Sequence, residues 1–242
     1  AQQLHEETDY LREAQSLNRF RDLLSGQQGF TVPAQYADWS TPSILAMEYV
    51  EGRPIEEAAT QDQATRDAIM ARLIDLTLKE LFEFRLMQSD PNFANYRYDP
   101  QTGNIILLDF GATRQIDPVI SDLYARMFRA GLEGAHAELE ELAVTIGFID
   151  KNITASHRSQ VMEMMLLAFE GLRVPVFDFT EKTLTQEIQR RGEALAKSGF
   201  VPPAVPMDVL YLQRKFGGMF LLGARLRAKL PVADMLAPYL SP

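Results

Sequence analysis

Asp90 and Asn95 stand five residues apart in MQSDPNFANY, and a second acid follows in Asp109-Phe110-Gly111, beyond the turn-bearing run Tyr96–Leu108. Carboxylate and amide oxygens are the ligands a hard cation such as Mg²⁺ prefers. Phosphoryl transfer from ATP needs one carboxylate near the attacking group and oxygen ligands that hold Mg²⁺ on the β- and γ-phosphates. Little covalent chemistry is asked of the protein. Asp90, Asn95 and Asp109 are the candidates for these parts. Asp-Phe-Gly alone occurs often by chance; its place one hairpin after D-x4-N is what gives it meaning.

Several elements must position these groups. Gln63–Met87 reads as a long amphipathic helix in which Ile69, Leu73, Leu76, Leu81, Phe84 and Met87 keep a helical period broken only by Glu80. It would deliver Asp90 to a loop, where Pro91 disfavours helical backbone at the preceding residue. Tyr96-Arg97-Tyr98, a turn at Asp99–Asn104 and Ile105–Leu108 make a hairpin, with Pro100 and Gly103 as turn residues. Residues 2–25 read as a helix with Leu17, Phe20, Leu23 and Leu24 at core spacing. Glu7 and Glu13 are about 600° apart on it, so they face different partners. A solvated acidic helix would have the same composition. Ile44–Val50, stopped by Gly52, reads as a strand entering a linker, and Trp39 as a packing residue. After Asp117-Pro118 the chain reads as all helix, about 119–130, 134–147, 155–171, 181–198 and 207–229, with a stop at Gly199–Pro203. The fold class is mainly α with a few short strands (α+β).

Composition excludes several functions. With 242 residues and 46% apolar content, the chain can bury a sizeable core. A net charge of −9 argues against general nucleic-acid binding, which needs phosphate neutralisation. Cysteine is absent, and His5, His136 and His157 are scattered. No apolar run approaches the ~18 residues of a membrane span. Without an initiator Met or a signal-like segment, the chain reads as an excised portion of a longer protein.

D-x4-N, a hairpin and D-F-G are the order and spacing found in protein kinases, which implies Asp90 as the catalytic residue beside the attacking group, with Asn95 and Asp109 as metal ligands. The run Glu80–Arg114, with LFEFRLMQSDPNFANY and LLDFGATR, closely resembles the UbiB-type atypical kinases, in their coenzyme Q (ubiquinone) biosynthesis branch. The resemblance extends from ETDYLREA to LQRKFGGMFLLGARLRAKLP. Gln88-Ser89 replace the kinase His-Arg, and Asn92 replaces a loop lysine. The D-P-N-aromatic-x-N form favours the coenzyme Q branch over His-Pro-Gly branches. The resemblance implies a kinase-like large lobe, residues 52–242, with family-specific C-terminal helices. Residues 1–51 would be a small-lobe remnant: an αC-like helix, two strands and the hinge. It gives Glu13 the αC role, makes Glu7 and Asp9 the family's E-x-D motif, and sets the backbone of Glu48 and Val50 against adenine. It implies ATP and Mg²⁺ as cofactors, and coenzyme Q biosynthesis proteins, an anionic membrane surface and prenylated phenol or quinone lipids as partners. The expected location is the matrix side of the mitochondrial inner membrane, or the cytoplasmic face of a bacterial inner membrane.

No Ala-Pro-Glu triplet follows Asp109, which argues against peptide phosphorylation. The nucleotide loop, the phosphate-binding Lys and the KxGQ segment of the family would precede αC. Lys79, the only lysine before residue 151, sits mid-helix and does not replace them. The isolated chain is therefore expected to bind ATP poorly and turn none over. A nucleotide-gated lipid- and protein-binding scaffold with little turnover stays open as an alternative, as does a small-molecule kinase of the aminoglycoside or choline type. In Met207–Leu230, a helical wheel gathers Arg214, Lys215, Arg225 and Lys229 on one arc. That arc is expected to be a solvated basic face or a contact for anionic lipid, with Gly217, Gly218 and Gly223 packing closely.

Overall fold

The computed structural model of this chain describes residues 9–240, which fall into two compact units. The first holds the residues up to Gln115 together with Arg214–Ala228; the second holds Ile116–Gln213 and the residues from Lys229 on.

In the first unit, helix α1 spans Tyr10–Leu23, begun by Asp9, whose side chain accepts from the Arg12 amide at 3.2 Å. Such a cap satisfies an otherwise orphaned helix donor. Leu17 and Phe20 lie one turn apart on its buried face. Helix α2, Gln63–Phe82, is capped in the same way by Asp62, which accepts from the Thr65 amide at 2.8 Å. The main sheet contains β1 (Phe30–Thr31), β2 (Arg53–Pro54), β4 (Tyr96–Tyr98) and β5 (Ile105–Leu107) in the order β1-β5-β4-β2. The expected hairpin is β4 and β5, antiparallel with Tyr96 opposite Leu107 and Tyr98 opposite Ile105. Its turn is fixed by Asp99, which accepts from the Gln101 amide at 2.8 Å and the Thr102 hydroxyl at 2.6 Å. Gly103 completes the turn with φ +71°. Gly52 permits close approach of β2's entry to the sheet, since a Cβ there would lie 2.4 Å from Ile106 Cδ1.

Three expectations here need correction. Helix α2 stops at Phe82, not Met87: the amides of Glu83 and Phe84 both turn back to the Lys79 carbonyl, and Arg85 adopts φ +49°. Leu86–Gln88 is instead strand β3, antiparallel to β6 (Thr113–Gln115). All three β3 residues are buried, and so short an apolar run has no readable period. Ile44–Val50 is not a strand. Residues 34–48 fold back on themselves through isolated bridges, Gln35 with Met47 and Thr41 with Ile44. Ile44 and Tyr49 are exposed, so β-rich composition there serves no buried face. Trp39 is exposed in a single 3₁₀ turn, Ala37–Trp39, and packs no core.

The second unit is helical, as its sequence implies: α3 (Pro118–Glu133), α4 (His136–Ile146), α5 (Ala155–Leu172), α6 (Lys182–Lys197) and a short α8 (Val232–Leu236). Asp117 caps α3 by accepting from the Val119 amide at 2.8 Å, with Pro118 in the first turn. Helix α7, Met207–Leu226, ends three residues earlier than its apolar period suggests, because Arg227 turns to φ +53°. Lys229-Leu230 then forms β8 against β7 (Phe177–Asp178), and Lys229 Nζ meets Asp178 Oδ2 at 2.8 Å. These two-residue strands interrupt a stretch read as all helix; nothing so short has a sequence period. An apolar cavity of about 660 Å³ lies within this unit, lined by Met127, Phe148, Met164, Phe169, Leu195 and Phe200 among others.

Helices α3 and α5 cross closely at Gly131, where an added Cβ would lie 2.4 Å from the Phe169 ring. Gly131→Val is expected to destabilise the chain by about 1–3 kcal/mol through overpacking. Urea unfolding followed by circular dichroism measures it. Wild-type stability would mean that Phe169 has room to turn away.

Candidate functional site

The segment from β3 to β4 is held at each of its residues that matters. The Ser89 amide and hydroxyl both donate to the Ala112 carbonyl, at 3.1 and 2.8 Å. Asn92 accepts from the Ala94 amide at 3.1 Å and starts a 3₁₀ turn, Phe93–Asn95. That turn swings Asn95 back onto Asp90, and Asn95 Nδ2 donates to Asp90 Oδ2 at 2.9 Å. The Leu108 amide donates to the Asn95 carbonyl at 3.1 Å, tying this loop to the strand that leads into Asp109. With Nδ2 committed to Asp90, the amide oxygen of Asn95 is the atom left for a cation. Asn95 and Asp109 line one small internal cavity together with Gln88. The two acids and the amide read from sequence are thus brought together.

What fixes this loop was not read from sequence. Glu80, the residue that breaks the apolar period of α2, is fully buried and pairs with Lys215 of α7, Nζ to Oε2 at 3.0 Å. Lys215 Nζ also donates to the Gln88 carbonyl and to the Tyr96 hydroxyl, both at 2.9 Å. Glu80 Oε1 accepts from the Gln88 amide at 3.2 Å. The main chain two residues before Asp90 is therefore gripped on both sides by one buried ion pair. Burial pushes the Glu80 carboxyl up. For Lys215, burial works against the charge, but Glu80 and Tyr96 outweigh it and hold the ammonium protonated. One turn along α7, Gly218 abuts the loop itself, since a Cβ there would lie 2.5 Å from Pro91 Cβ. Gly217 has open space and plays no such part.

The expected basic face of Met207–Leu230 is accordingly corrected. Lys215 points into the core, and Lys229 lies past the end of the helix on β8, bonded to Asp178. Arg214 and Arg225 alone do not make a lipid-binding arc. The readable signal was the acid: a carboxylate on an apolar helix face requires a buried cation somewhere in the chain.

Helix α1 bears on Asp109 directly. Glu13 Oε1 accepts from the Phe110 amide at 3.4 Å, and Phe110 packs on Phe20 with ring centroids 5.1 Å apart. Arg12 donates to the Thr113 carbonyl at 3.2 Å. Asp109 Oδ1 accepts from the Gly111 amide at 2.9 Å. Burial and then the Asp109 charge push the Glu13 carboxyl above its ordinary value, partly offset by the Phe110 amide. Of the E-x-D pair, Asp9 is the α1 cap and Glu7 lies outside the described residues. Glu48 and Val50 do not line the cavity that Asn95 and Asp109 share. The Glu48 amide already donates to the Ala34 carbonyl at 2.7 Å, and its carboxylate accepts from the Ala34 amide at 3.1 Å.

An Asp bonded to an Asn five residues on, with a second Asp behind a hairpin, is the arrangement expected of a kinase-like site. Residues 1–143 match the ABC1 atypical kinase-like domain, and the chain belongs to that family. Atypical kinase COQ8B, mitochondrial, of Danio rerio is 35% identical over 233 residues, covering 95% of this chain and 36% of the relative. Atypical kinase COQ8, mitochondrial, of Saccharomyces cerevisiae is 31% identical over 232 residues, covering 95% and 46%. The chain spans less than half the length of either relative. The solved structure of Rv3197 with erythromycin from Mycobacterium tuberculosis shares the fold, with a TM-score of 0.77 at 20% identity over 98% of this chain and 60% of that one. These likenesses bear out the UbiB-type resemblance and the kinase-like α+β class.

Lys215→Met should cost about 3–5 kcal/mol, because it strands the Glu80 charge in the core. Glu80→Met combined with Lys215→Met should recover most of that loss, although the Gln88 main chain stays ungripped. Urea unfolding of the single and double variants reads the coupling, and a loss below about 1 kcal/mol in Lys215→Met would refute a buried charge pair. A second expectation concerns Glu13. Its raised folded pKa means the folded chain binds the proton more tightly than the unfolded one. The stability it lends is complete below the unfolded carboxylate pKa and is lost as pH rises through the folded value. Glu13→Gln should therefore flatten the fall in stability as pH rises above the ordinary carboxylate range and leave the variant more stable than wild type at neutral pH. Parallel stability–pH curves would mean that neither burial nor Asp109 raises the Glu13 carboxyl.

Proposed function

We propose that this chain carries the catalytic loop and metal-binding segment of an ATP- and Mg²⁺-dependent atypical kinase or ATPase that supports coenzyme Q (ubiquinone) biosynthesis. The observation that carries this reading is the 2.9 Å bond from Asn95 to Asp90, made beside a cavity that Asn95 shares with Asp109. Asp90 orients the attacking hydroxyl or water and accepts its proton. Asn95 and Asp109 are the residues that would hold Mg²⁺. The donor set fits: one carboxylate and one amide oxygen suit an ion that takes its remaining ligands from phosphates and water. Among the described residues no cluster of three acidic or imidazole side chains would hold a metal alone. When bound, Mg²⁺ offsets phosphate charge as the γ-phosphoryl departs.

In this reading the residues to 51 are the end of a small lobe and those from 52 a large lobe. Glu13 is the αC acid awaiting a lysine, and the backbone of Glu48 and Val50 faces adenine. The relatives carry mitochondrial names, which supports placing the whole protein in that compartment; the inner-membrane surface and contact with other coenzyme Q biosynthesis proteins are parts of this reading. No helix among the described residues is long and apolar enough to cross a membrane.

A second reading, a nucleotide-gated scaffold that binds a prenylated phenol or quinone lipid, is favoured by the 660 Å³ apolar cavity of the second unit. Pockets of that size and lining suit a single apolar ligand.

In the full-length protein, Asp109→Asn should abolish Mg²⁺-nucleotide binding with the fold intact, because an amide does not offset the ion's charge. Asp90→Asn should lose turnover while still binding nucleotide. Calorimetry with Mg²⁺-ATP and a phosphate-release assay separate the two. Wild-type affinity and turnover in Asp109→Asn would sink the assignment. Turnover absent from the wild type, with saturable binding of a prenylated phenol abolished by Phe169→Trp in the cavity, would favour the scaffold.

A further inference from the structure

Gln88 occupies the position two residues before the catalytic-loop acid, and its side chain is the outstanding unexplained group of the site. It is 5% exposed, yet neither its Oε1 nor its Nε2 has a hydrogen-bond partner. A buried amide left without partners costs about 1–3 kcal/mol, so such a group is a sign of something it binds. Its main chain has no freedom to carry the side chain elsewhere, because the amide is bonded to Glu80 and the carbonyl to Lys215. Gln88 lines a small cavity whose other polar residues are Glu80, Asn95, Tyr96 and Asp109. That cavity measures about 10 Å³. A single water needs about 10–15 Å³ and two to four polar partners, so the cavity has room for one water among residues that can bond it.

We propose that Gln88 is a positioning residue for the metal-binding edge of the site, acting through one buried water that its amide shares with Asn95 and Asp109. The inference rests on the metal roles proposed above for those two residues. The residue type suits the task. An amide both donates to and accepts from a water without adding charge. A glutamate here would set a further carboxylate beside Glu80 and Asp109. A water bonded to one Asp109 carboxylate oxygen, or to the second Nδ2 hydrogen of Asn95, limits that side chain's rotation and leaves an oxygen of it turned toward the cation. Partners at this remove from a metal typically contribute 10–100-fold in its affinity.

The test uses the full-length protein with Mn²⁺ as the spectroscopic probe and ADP as the nucleotide, free Mn²⁺ being read by electron paramagnetic resonance. Gln88→Met keeps the length and volume of the side chain and removes its polar atoms. The expected result is Mn²⁺ affinity weakened about 10-fold or more, with metal-free ADP affinity unchanged. Mn²⁺ affinity within about twofold of wild type, together with a raised unfolding midpoint, is the signature of deleting an amide that binds nothing, and would overturn the proposal. Asp109→Asn separates the two levels. If it leaves Mn²⁺ affinity unchanged, the metal-site reading falls and this inference with it. If it abolishes binding while Gln88→Met does not weaken it, only the role of Gln88 falls. A crystal structure of the wild-type protein at a resolution that shows waters is independent of any variant's folding. One ordered water bonded to the Gln88 amide and to Asn95 or Asp109 supports the proposal, and a dry cavity overturns it.

Discussion

The buried pair of Glu80 and Lys215 is the constraint on which the rest of the first unit depends. Two charges taken out of water repay their desolvation only when geometry and further hydrogen bonds are complete. Here the further bonds go to the Gln88 amide, the Gln88 carbonyl and the Tyr96 hydroxyl. The energetic requirement of the pair and the position of the loop are therefore one condition. Satisfying Glu80 and Lys215 fixes the main chain that leads to Asp90. A well-packed apolar pair could fill the same space with equal or better stability, but it would have nothing with which to grip a peptide unit.

Asp109 is held from another side. The Phe110 ring packs on Phe20 of α1, and the Phe110 amide reaches Glu13, so Asp109 cannot move without disturbing that helix. Glu13 and Asp109 face one another as like charges, and burial adds to the difficulty of ionising Glu13. Local order, from the Gly111 amide to the Arg12 contact with Thr113, keeps the two acids in place.

The parts of the site legible in the sequence are those made by neighbours in the chain. Asp90, Asn95 and Asp109 lie within one loop and one hairpin, and turn chemistry at Asn92, Asp99 and Gly103 dictates how they meet. The Ile44–Val50 strand misled because β-branched composition reports a pleated, half-buried surface, and Ile44 and Tyr49 have no such surface to cover. The reading of Lys215 failed for a related reason. A helical wheel groups residues by angle and says nothing about which side meets the core, so a lysine destined for an ion pair looked like one of four surface cations. Glu80 was the informative residue, visible as a break in period, but its partner lies 135 positions away on an element with no local mark. The ends of α2 and α7 were overrun because Arg85 and Arg227 take left-handed backbone that their identity does not advertise.

The first unit is also discontinuous, closed by residues 214–228 that arrive after residues 116–213 of the second unit have been made. Lys215 is separated from Gln88 by 127 residues. At roughly 5–20 residues per second of synthesis, that is a wait of about 6–25 s between the loop leaving the ribosome and its clamp. During that interval Glu80 has no cation to meet, and the Gln88 peptide group lacks both of its bonds. Neither bond that Lys215 makes, to Glu80 or to the Gln88 carbonyl, can form until α7 appears. The order of translation thus makes the loop bearing Asp90 and Asn95 among the last pieces of the chain to reach its final form.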